Sequence, residues 1–464
     1  MKRSASGAPR QGSVQPARRV AYEVIAAVRE TDAYANLLLP VKLERAGLHG
    51  GDAALATELT YGTLRQRGYY DAVIEHAAGR SVDKIDPAIL DVLRLGTHQL
   101  LSMRVASHAA VDEAVSQARQ VGSRSATGFV NGVLRTISRS TPGEWRDRVL
   151  AAPRSEDERL AVEHSHPVWV VRALRRALAA EGREHELEAL LEADNSAPAV
   201  SLAALPGLSK PEELSGEPGH HSPFAVTSSG GDPARIPAIA DGRARVQDEG
   251  SQLAALALSR VAEPRPGERW LDMCAGPGGK AALLAAEAVA SGATLVANEV
   301  VPARAELVRR ALAPISPSIQ VTVNDGRLAG TETPGHYDRV LIDAPCTGLG
   351  ALRRRPEARW RKQPKDVPAL ASLQAELLES GLKATRPGGV VAYVTCSPHL
   401  AETRAVLASV LKRHPDVERL DASAVLADVV TSPLDLGDSD GTVQLWPHRH
   451  GTDAMFISLL RVPR

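Results

Sequence analysis

Two of the three cysteines in the sequence follow short apolar runs that have the pattern of buried strands. Cys346 comes after RVLIDAP, and Cys396 comes after VVAYVT. A lone buried cysteine is usually a small apolar residue, but two thiols at the ends of neighbouring strands favour nucleophilic catalysis. The chain contains no Cys-x-x-Cys pair, which argues against a structural zinc site, and so low a cysteine count is typical of a reducing compartment.

A glycine-rich loop follows another apolar run and leads directly into a helical segment. RWLDM is followed by CAGPGGK, whose glycines permit a sharp turn and the close approach of a ligand. In an open α/β sheet, ligands bind at the carboxyl ends of the strands. Glu299 comes 20 residues after Gly279, at the end of the next run, where an acid accepts hydrogen bonds from ribose hydroxyls. The pattern therefore predicts a ligand that carries a ribose.

Two further acids end successive apolar runs. Asp325 follows IQVTVN, and Asp343 ends RVLID. Aspartate often caps helices, but three acids at successive strand ends are more typical of a binding rim. Because this rim is acidic and has no lysine and serine cradle for phosphates, it favours a cationic nucleoside such as S-adenosylmethionine over a nucleoside triphosphate.

The elements that must position these residues alternate between strands and helices from residue 250 onward. This alternation predicts a doubly wound, mostly parallel α/β sheet. The expected strands are 269–273, 293–297, 319–323, 339–343 and 390–395, and the expected helices between them are 279–290, 302–312 and 369–384. Two late strands, near 443–446 and 455–460, are expected to form an antiparallel hairpin that closes the edge of the sheet.

The chain before residue 250 has a different, mainly helical pattern. Residues 1–15 have the composition of a disordered basic tail, and 16–140 show the apolar spacing of an all-helical domain. Residues 141–245 are interpreted as a linker and small intermediate region. It has helices at 164–178 and 185–193, and loops or an irregular insertion over 205–236, where Pro, Gly and Ser are frequent. The α/β domain then covers 246–464.

Composition and charge restrict the class of protein. With 464 residues, 44% of them hydrophobic and 24% charged, the chain is typical of a globular protein of several domains. Basic and acidic side chains balance at 55 each, but RRRPEARWRK at 353–362 is locally basic. A face that binds a polyanion and a solvated helix face are equal alternatives for this run. The sequence shows neither a membrane-spanning run nor a signal peptide, so we expect a cytoplasmic protein.

Taken together, these motifs resemble those of a known enzyme family. LDMCAGPGGK, NE at 298–299, NDGR at 324–327, DAPCTGLGALRRRPEARW and VTCSP are similar to motifs of the RNA cytosine-C5 methyltransferases. Their order and spacing resemble the bacterial ribosomal RNA enzymes of the RsmB (Fmu/Sun) type. Residues 16–140, with FVNGVLR at 129–135, resemble the NusB-like RNA-binding helical domain of such enzymes, and VQDEGSQLAA at 246–255 resembles their lead into the catalytic domain. The resemblance implies a NusB-like domain followed by a Rossmann-like class I methyltransferase domain.

The resemblance also implies a role for each motif residue. Cys396 would be the nucleophile and Cys346 would assist product release, although the residues alone leave the two exchangeable, because DNA cytosine-C5 methyltransferases attack with the cysteine of a Pro-Cys motif. Asp343 would contact the cytosine ring as well as the cofactor. The implied S-adenosylmethionine site consists of Cys274, Ala275, Gly276, Pro277, Gly278, Gly279, Lys280, Glu299 on the ribose, Asp325 near the adenine, and Asp343.

The substrate implied by the resemblance is a cytosine in ribosomal RNA, specifically the 16S RNA of the small subunit. Transfer RNA is an alternative that the catalytic motifs do not exclude, and a non-catalytic RNA-binding assembly factor is a second one, against which the intact thiols argue. The side chains expected to contact RNA phosphates and to stack on a base are Arg353, Arg354, Arg355, Arg359, Trp360 and Arg361. We call residues 353–361 the basic segment. We expect no metal ion and a monomer.

One stretch near the C-terminus departs from the family pattern. HGTDAMF has Ala454 and Met455 where the family tends to have glycine and an aromatic residue. We expect this difference to affect local packing and not the chemistry.

Overall fold

The computed structural model describes residues 14–31, 33–436 and 440–464 and divides into two compact units. The first, the helical unit, comprises Met1–Arg172 together with Arg353–Arg361. The second, the sheet unit, comprises Ala173–Leu352 and Lys362–Arg464. Apart from residues 14 and 15, the predicted basic tail lies outside the described residues.

The helical unit is formed by helices that bury apolar faces in a common core. Its helices are α1 (Pro16–Thr31), α2 (Ala35–Arg45), α3 (Gly50–Arg65), α4 (Arg67–Ala78), α5 (Pro87–Leu101), α6 (Ser107–Val121), α7 (Arg124–Ile137), α8 (Pro142–Leu150), α9 (Glu156–Glu163) and the first residues of α10 (Val168–Ala179). Val130, Leu134 and Ile137 of α7 show the helical spacing of the buried side chains. The all-helical prediction for 16–140 is confirmed, but Trp145 of α8 belongs to the same core, so this unit continues past residue 140.

A small antiparallel sheet lies in the sheet unit, where the sequence predicted loops. After α11 (Leu187–Asn195) come β1 (Ser201–Ala204), β2 (Gly216–Pro218), β3 (Ala225–Ser228), α12 (Pro237–Ala240) and β4 (Ala244–Val246). The strands pair in the order β2-β3-β1-β4 around buried Leu202 and Val226. The loop prediction over 205–236 was wrong for β2 and β3, because strands this short do not produce a recognisable alternation.

The main sheet carries the predicted strands. Its strands are β5 (Arg269–Asp272), β6 (Thr294–Asn298), β7 (Gln320–Thr322), β8 (Tyr337–Asp343), β9 (Thr385–Thr395), β10 (Glu418–Leu420), β11 (Val443–Gln444) and β12 (Phe456–Arg461). The helices are α13 (Glu249–Ser259), α14 (Gly279–Ala290), α15 (Pro302–Leu312), α16 (Ala329–Glu332), α17 (Ala358–Arg361, in the basic segment), α18 (Val367–Ala384), α19 (Arg404–Arg413), α20 (Ala422–Ala427) and α21 (Pro447–His450). Short 3-10 turns cover Val82–Lys84, Glu184–Glu186, Pro211–Glu213, Pro233–Arg235, Gly326–Leu328, Pro364–Asp366 and Leu400–Glu402.

The order of the main sheet is β10-β12-β9-β8-β5-β6-β7, and the strands from β9 to β7 are parallel. Asp272 pairs with Leu341, and Asp343 pairs with Val394, so the carboxyl ends of β5, β8 and β9 lie along one edge. Apolar clusters cover both faces of this sheet. The fold therefore brings the strand-end motifs of the sequence together.

The C-terminal strands differ from the prediction in one respect. The β11–β12 hairpin forms and is antiparallel, with Val443 opposite Ile457. β9 pairs along one side of β12, so β11 and β10 share the other side: the hairpin lies at the edge of the sheet as predicted, and β10, which was not predicted, extends that edge. Among the described residues, no helix is both long and apolar enough to cross a membrane.

Candidate active site

Cys346 and Cys396 meet at the carboxyl ends of β8 and β9. Their Sγ atoms are 3.3 Å apart, and both side chains are partly buried. The backbone of Gly350 ties the two loops together, because its N–H donates to the carbonyl oxygen of Cys396 at 2.9 Å. The same glycine accepts from the N–H of Ala454 at 2.8 Å, and Met455 is fully buried in the apolar core. The departure from the family pattern thus lies in the packing beside the thiol loops.

The surroundings of Cys346 favour its protonated form. The hydrogen bond to Cys396, burial, and the negative charges of Cys396, Glu402 and Asp343 raise the pKa of Cys346 well above its usual value. Cys346 therefore keeps its proton and can donate it to the neighbouring sulfur. Cys274, the third cysteine, is also held as a thiol, because burial and the surrounding acids raise its pKa well above the usual value.

An ion pair lies beside the thiols. The Nζ atom of Lys280, in the first turn of α14, is 2.8 Å from Oδ2 of Asp343, the last residue of β8. Burial lowers the pKa of Lys280, but the charge and hydrogen bond of Asp343 and the charge of Cys396 outweigh it, and the net pKa is raised. Lys280 therefore keeps its ammonium group, which is paired with the carboxylate of Asp343 and is stabilised further by the charge of Cys396.

The glycine loop is shaped around Glu299. The N–H groups of Gly276 and Val301 donate to the two carboxylate oxygens of Glu299 at 3.1 and 2.9 Å. A Cβ atom on Gly276 would lie 2.1 Å from Glu299 Oε2, so a larger residue here would displace the carboxylate from its hydrogen bonds. Gly278 has φ +110°, and a Cβ there would lie 2.6 Å from the Cβ of Ala311. The predicted loop and acid are therefore brought together, with Ala275 buried and Pro277 exposed beside them.

Both acids on this side of the rim pair with exposed arginines. Arg304 is 3.4 Å from Glu299, and Arg327 is 2.6 Å from Asp325. The hydrogen bond from Arg327 lowers the pKa of Asp325, although burial opposes it. Asp325 also lines a cavity of about 280 Å³ at the ends of β6 and β7. Since the arginine side chains are about half exposed, they can move aside for a ligand.

Asp272, the last residue of β5, is a site residue that the sequence analysis missed. It is fully buried, its Oδ1 accepts from the N–H of Cys274 at 3.3 Å, and its Oδ2 has no hydrogen-bond partner among the described residues. Burial and the charge of Asp343 raise the pKa of Asp272 to about 8. The signal was present, since this acid also ends a predicted strand.

The basic segment packs into the helical unit and does not form an open basic face. Arg359 is fully buried, and its Nη1 donates to the carbonyl oxygens of Ser165 and Arg65 at 3.0 and 3.4 Å. A fully buried guanidinium cannot reach an RNA phosphate, so the structure corrects the predicted role of Arg359. A charge run in a sequence does not reveal which of its members is buried.

Trp360 is also used for packing. The guanidinium of Arg67 lies 5.3 Å from the centre of its ring. A Cβ on Gly68 would lie 2.7 Å from Cη2 of the indole, which shows how closely that backbone approaches. The structure therefore does not support a free stacking surface on Trp360. Arg353, Arg354, Arg355 and Arg361 remain partly exposed, and the last two lie over the ring of Tyr34.

Comparison with known proteins identifies the family to which this chain belongs. A family model described as 16S rRNA methyltransferase RsmB/F matches residues 259–461, and the NusB family model matches residues 15–139. A Mycobacterium tuberculosis protein named as a methyltransferase is 51% identical over 464 residues, which cover 98% of each chain. A Bacillus subtilis protein named as a ribosomal RNA small subunit methyltransferase B is 31% identical, with 96% of this chain and 98% of that chain covered. The chain belongs to the RsmB/F family of rRNA methyltransferases.

Family membership confirms three predictions from the sequence: the RsmB type, the NusB-like region, and S-adenosylmethionine as the cofactor. The crystal structure of PH0851 has the same fold, with a TM-score of 0.79 at 23% identity over 97% of this chain and 99% of that chain. A methyltransferase homologue from Pyrococcus horikoshii superposes with a TM-score of 0.50 at 23% identity, covering 63% of this chain and 99% of that chain. The predicted fold class is confirmed.

Proposed function

We propose that this RsmB/F protein methylates carbon 5 of a cytosine in 16S ribosomal RNA through a covalent bond between Cys396 and carbon 6 of the base. The observation that carries this proposal is the 3.3 Å separation of the Cys346 and Cys396 sulfurs beside the Lys280–Asp343 ion pair. Carbon 5 of cytosine is a poor nucleophile by itself. Addition of a thiolate at carbon 6 moves electron density to carbon 5, which can then accept a methyl group.

The residues of the glycine loop fit S-adenosylmethionine. Gly276 brings the loop backbone against the Glu299 carboxylate, and the acidic rim suits a cationic ligand. In this proposal the loop backbone and Glu299 hold the ribose side, and Asp325 lies near the adenine. When bound, S-adenosylmethionine supplies an electrophilic methyl group.

Cys396 is the nucleophile in this proposal, and Lys280 favours its thiolate form. A thiolate is the reactive species of cysteine, and a neighbouring cation stabilises it. The raised pKa of Lys280, to which the charge of Cys396 contributes, supports this assignment. In this proposal Asp343, which is paired with Lys280, accepts a hydrogen bond from the cytosine once the base has left its stack.

Cys346 serves the later step. Its raised pKa depends largely on the adjacent Cys396, through both a hydrogen bond and a negative charge. Once the Cys396 sulfur is bonded to carbon 6, that charge is gone and Cys346 loses its proton more readily. The proton of Cys346 passes to solvent, and the Cys346 thiolate then takes the carbon-5 proton. The electrons of that carbon–hydrogen bond restore the double bond between carbons 5 and 6, while the sulfur–carbon bond breaks and its electrons return to Cys396.

We propose that the helical unit and the partly exposed arginines of the basic segment hold the RNA. Arg353, Arg354, Arg355 and Arg361 are suited to phosphate contacts, whereas Arg359 supports the fold of that unit. The match of residues 15–139 to the NusB family and the name of the Bacillus subtilis relative support ribosomal RNA as the substrate.

The decisive experiment separates the two thiols by the step that each serves. Cys346→Ala is expected to accumulate a denaturant-resistant protein–RNA complex on 16S RNA that requires S-adenosylmethionine, because the adduct forms but resolves slowly. Cys396→Ala and the double variant are expected to form neither this complex nor 5-methylcytosine. Gel electrophoresis and bisulfite sequencing give the two readouts.

Two outcomes would contradict the proposal. A trapped complex in Cys396→Ala and not in Cys346→Ala would make Cys346 the nucleophile. Methylation by the wild-type protein of transfer RNA, with no product on 16S RNA either naked or in partly assembled subunits, would overturn the substrate.

A further inference from the structure

The loops that carry the two thiols share a third component, a buried carboxylate that neither the motifs nor the family comparison assigned. Glu402, in the 3-10 turn after β9, is fully buried. Its carboxylate accepts hydrogen bonds from several donors. Among the described residues, it forms no ion pair with a cation. Burying a charged carboxylate costs free energy unless hydrogen bonds compensate for the lost hydration, so these donors are essential for Glu402 to occupy this position.

Glu402 accepts hydrogen bonds from the residue next to each thiol. Thr347, which follows Cys346, donates its N–H to Oε1 at 2.8 Å and its hydroxyl to Oε2 at 2.5 Å. Ser397, which follows Cys396, donates its hydroxyl to the same Oε2 at 2.7 Å. The two hydroxyl oxygens are themselves 3.0 Å apart. One carboxylate thus links the β8 loop to the β9 loop.

Two further buried side chains support this carboxylate. Gln374 of α18 donates its amide to Glu402 Oε1 at 3.2 Å and to the carbonyl oxygen of Pro345 at 2.8 Å. The hydroxyl of Tyr393 on β9 donates to the carbonyl oxygen of Glu402 at 2.6 Å. The position of Glu402 is therefore fixed from the strand and from the helix, and through it the position of each cysteine backbone is fixed.

We propose that Glu402 is a positioning residue that clamps the Cys346 and Cys396 loops so that the two sulfurs stay in contact. This inference rests on the proposed function for its catalytic consequence, but the geometric part is independent of it. Both sulfurs must act at the same carbon–carbon bond of the base, and misplacement of a reacting group by about 1 Å costs on the order of 100-fold in rate. The negative charge of Glu402 has a second effect, since it helps to raise the pKa of Cys346, after the hydrogen bond to Cys396 and burial.

The test measures the rate at which the two thiols form a disulfide, which depends on how closely their sulfurs are held, and it needs neither RNA nor cofactor. Diamide, a two-electron azo oxidant, joins two adjacent thiols into a disulfide and takes up both thiol hydrogens to become a hydrazine. Wild-type protein is expected to form the Cys346–Cys396 disulfide quickly, as followed by mass spectrometry of peptides. Glu402→Ala is expected to slow this coupling by about tenfold or more and to lower kcat by about 100-fold, with KM for RNA within about threefold.

Conservative and matched variants separate positioning from general damage to the fold. Glu402→Gln keeps an oxygen for the N–H donors and presents an amide to the two hydroxyls, so it is expected to restore coupling and kcat to within about tenfold of wild type. Glu268→Ala removes another buried carboxylate, which accepts from Trp270 and Arg339 at the opposite end of β5. It is expected to destabilise the protein to a similar extent while leaving the coupling rate unchanged.

If Glu402→Ala does not fold, Ser397→Ala provides the same information, because it releases only the Cys396 loop from the clamp. Coupling at the wild-type rate in folded Glu402→Ala, or in Ser397→Ala where Glu402→Ala does not fold, would overturn the inference. Equal slowing in Glu268→Ala would overturn it as well. Slow coupling in Glu402→Ala, together with no covalent RNA complex from any cysteine variant, would sustain the clamp and refute the proposed chemistry.

Discussion

Cys346 and Arg353 are only seven residues apart in the sequence, yet they lie in different compact units and behave differently. The thiol site brings the two predicted cysteines together, with their sulfurs 3.3 Å apart, and the predicted Asp343 lies at the end of the same strand edge. The basic segment was expected to be a surface, but Arg359 is buried and Trp360 is packed against Gly68. Residues at the ends of neighbouring parallel strands are therefore brought together by the sheet, whereas a run of charged residues does not show which of its members are exposed.

The largest effect is expected from Lys280→Met, which removes the cation of the thiol site. Asp343 and the thiolate of Cys396 would then face each other without compensation, so the thiolate form becomes less stable. We expect kcat to fall by about 1,000-fold, as for loss of a preorganised charge in a catalytic site. The acid side of the pH–rate profile should move to higher pH. Single-turnover methylation of RNA across pH gives both quantities.

The control for this variant is Lys365→Met, a surface lysine of the same unit in the turn before α18. It should leave both the rate and the pH profile unchanged. An unaltered pH profile in Lys280→Met would show that the ammonium group does not stabilise the thiolate. The thiol site would then differ less from the basic segment in following its sequence motifs.

A smaller effect, on stability and not on chemistry, is expected from Arg359→Met. The substitution removes the donors to Ser165 and Arg65, and their buried carbonyl oxygens are left without these partners. Loss of hydrogen bonds from a charged donor costs about 1.5–3 kcal/mol of unfolding free energy. Urea denaturation measures this loss, with partly exposed Arg354→Met as the matched variant, for which little change is expected.

The role of Arg359 would be reversed by one result. If Arg359→Met kept its unfolding free energy and bound RNA more weakly, the guanidinium would contact an RNA phosphate. The basic segment would then, like the thiol site, have the role that its sequence predicts.

The smallest effect is expected when Arg353, Arg354 and Arg355 are replaced together by alanine. Each lost phosphate contact should reduce the slope of log affinity against log salt by about 0.7–0.9. Filter binding of RNA at several salt concentrations measures this slope, and affinity for S-adenosylmethionine should not change. An unaltered slope would assign these arginines, like Arg359, to the helical unit alone.

Much of the fold was accessible from the sequence because its signals are local. The helices at 279–290 and 302–312 begin and end as predicted, and the strands of the parallel sheet lie within about two residues of their predicted positions, apart from longer starts in β8 and β9. The strands β2 and β3 were missed because three or four residues carry no periodic signal. The strand β10 was missed because its three residues contain a single apolar side chain, Leu420.

For the site, residue types and strand ends determined which groups could react, and only the tertiary structure decided how they combine. Cys346, Cys396 and Asp343 could be named because parallel strands place their carboxyl ends at one edge. The pairing of Lys280 with Asp343, the burial of Asp272 and the clamp by Glu402 depend on side-chain packing between elements far apart in the chain. The same reason explains Arg359: its charge is written in the sequence, but its burial is set by neighbours that lie 194 and 294 residues away.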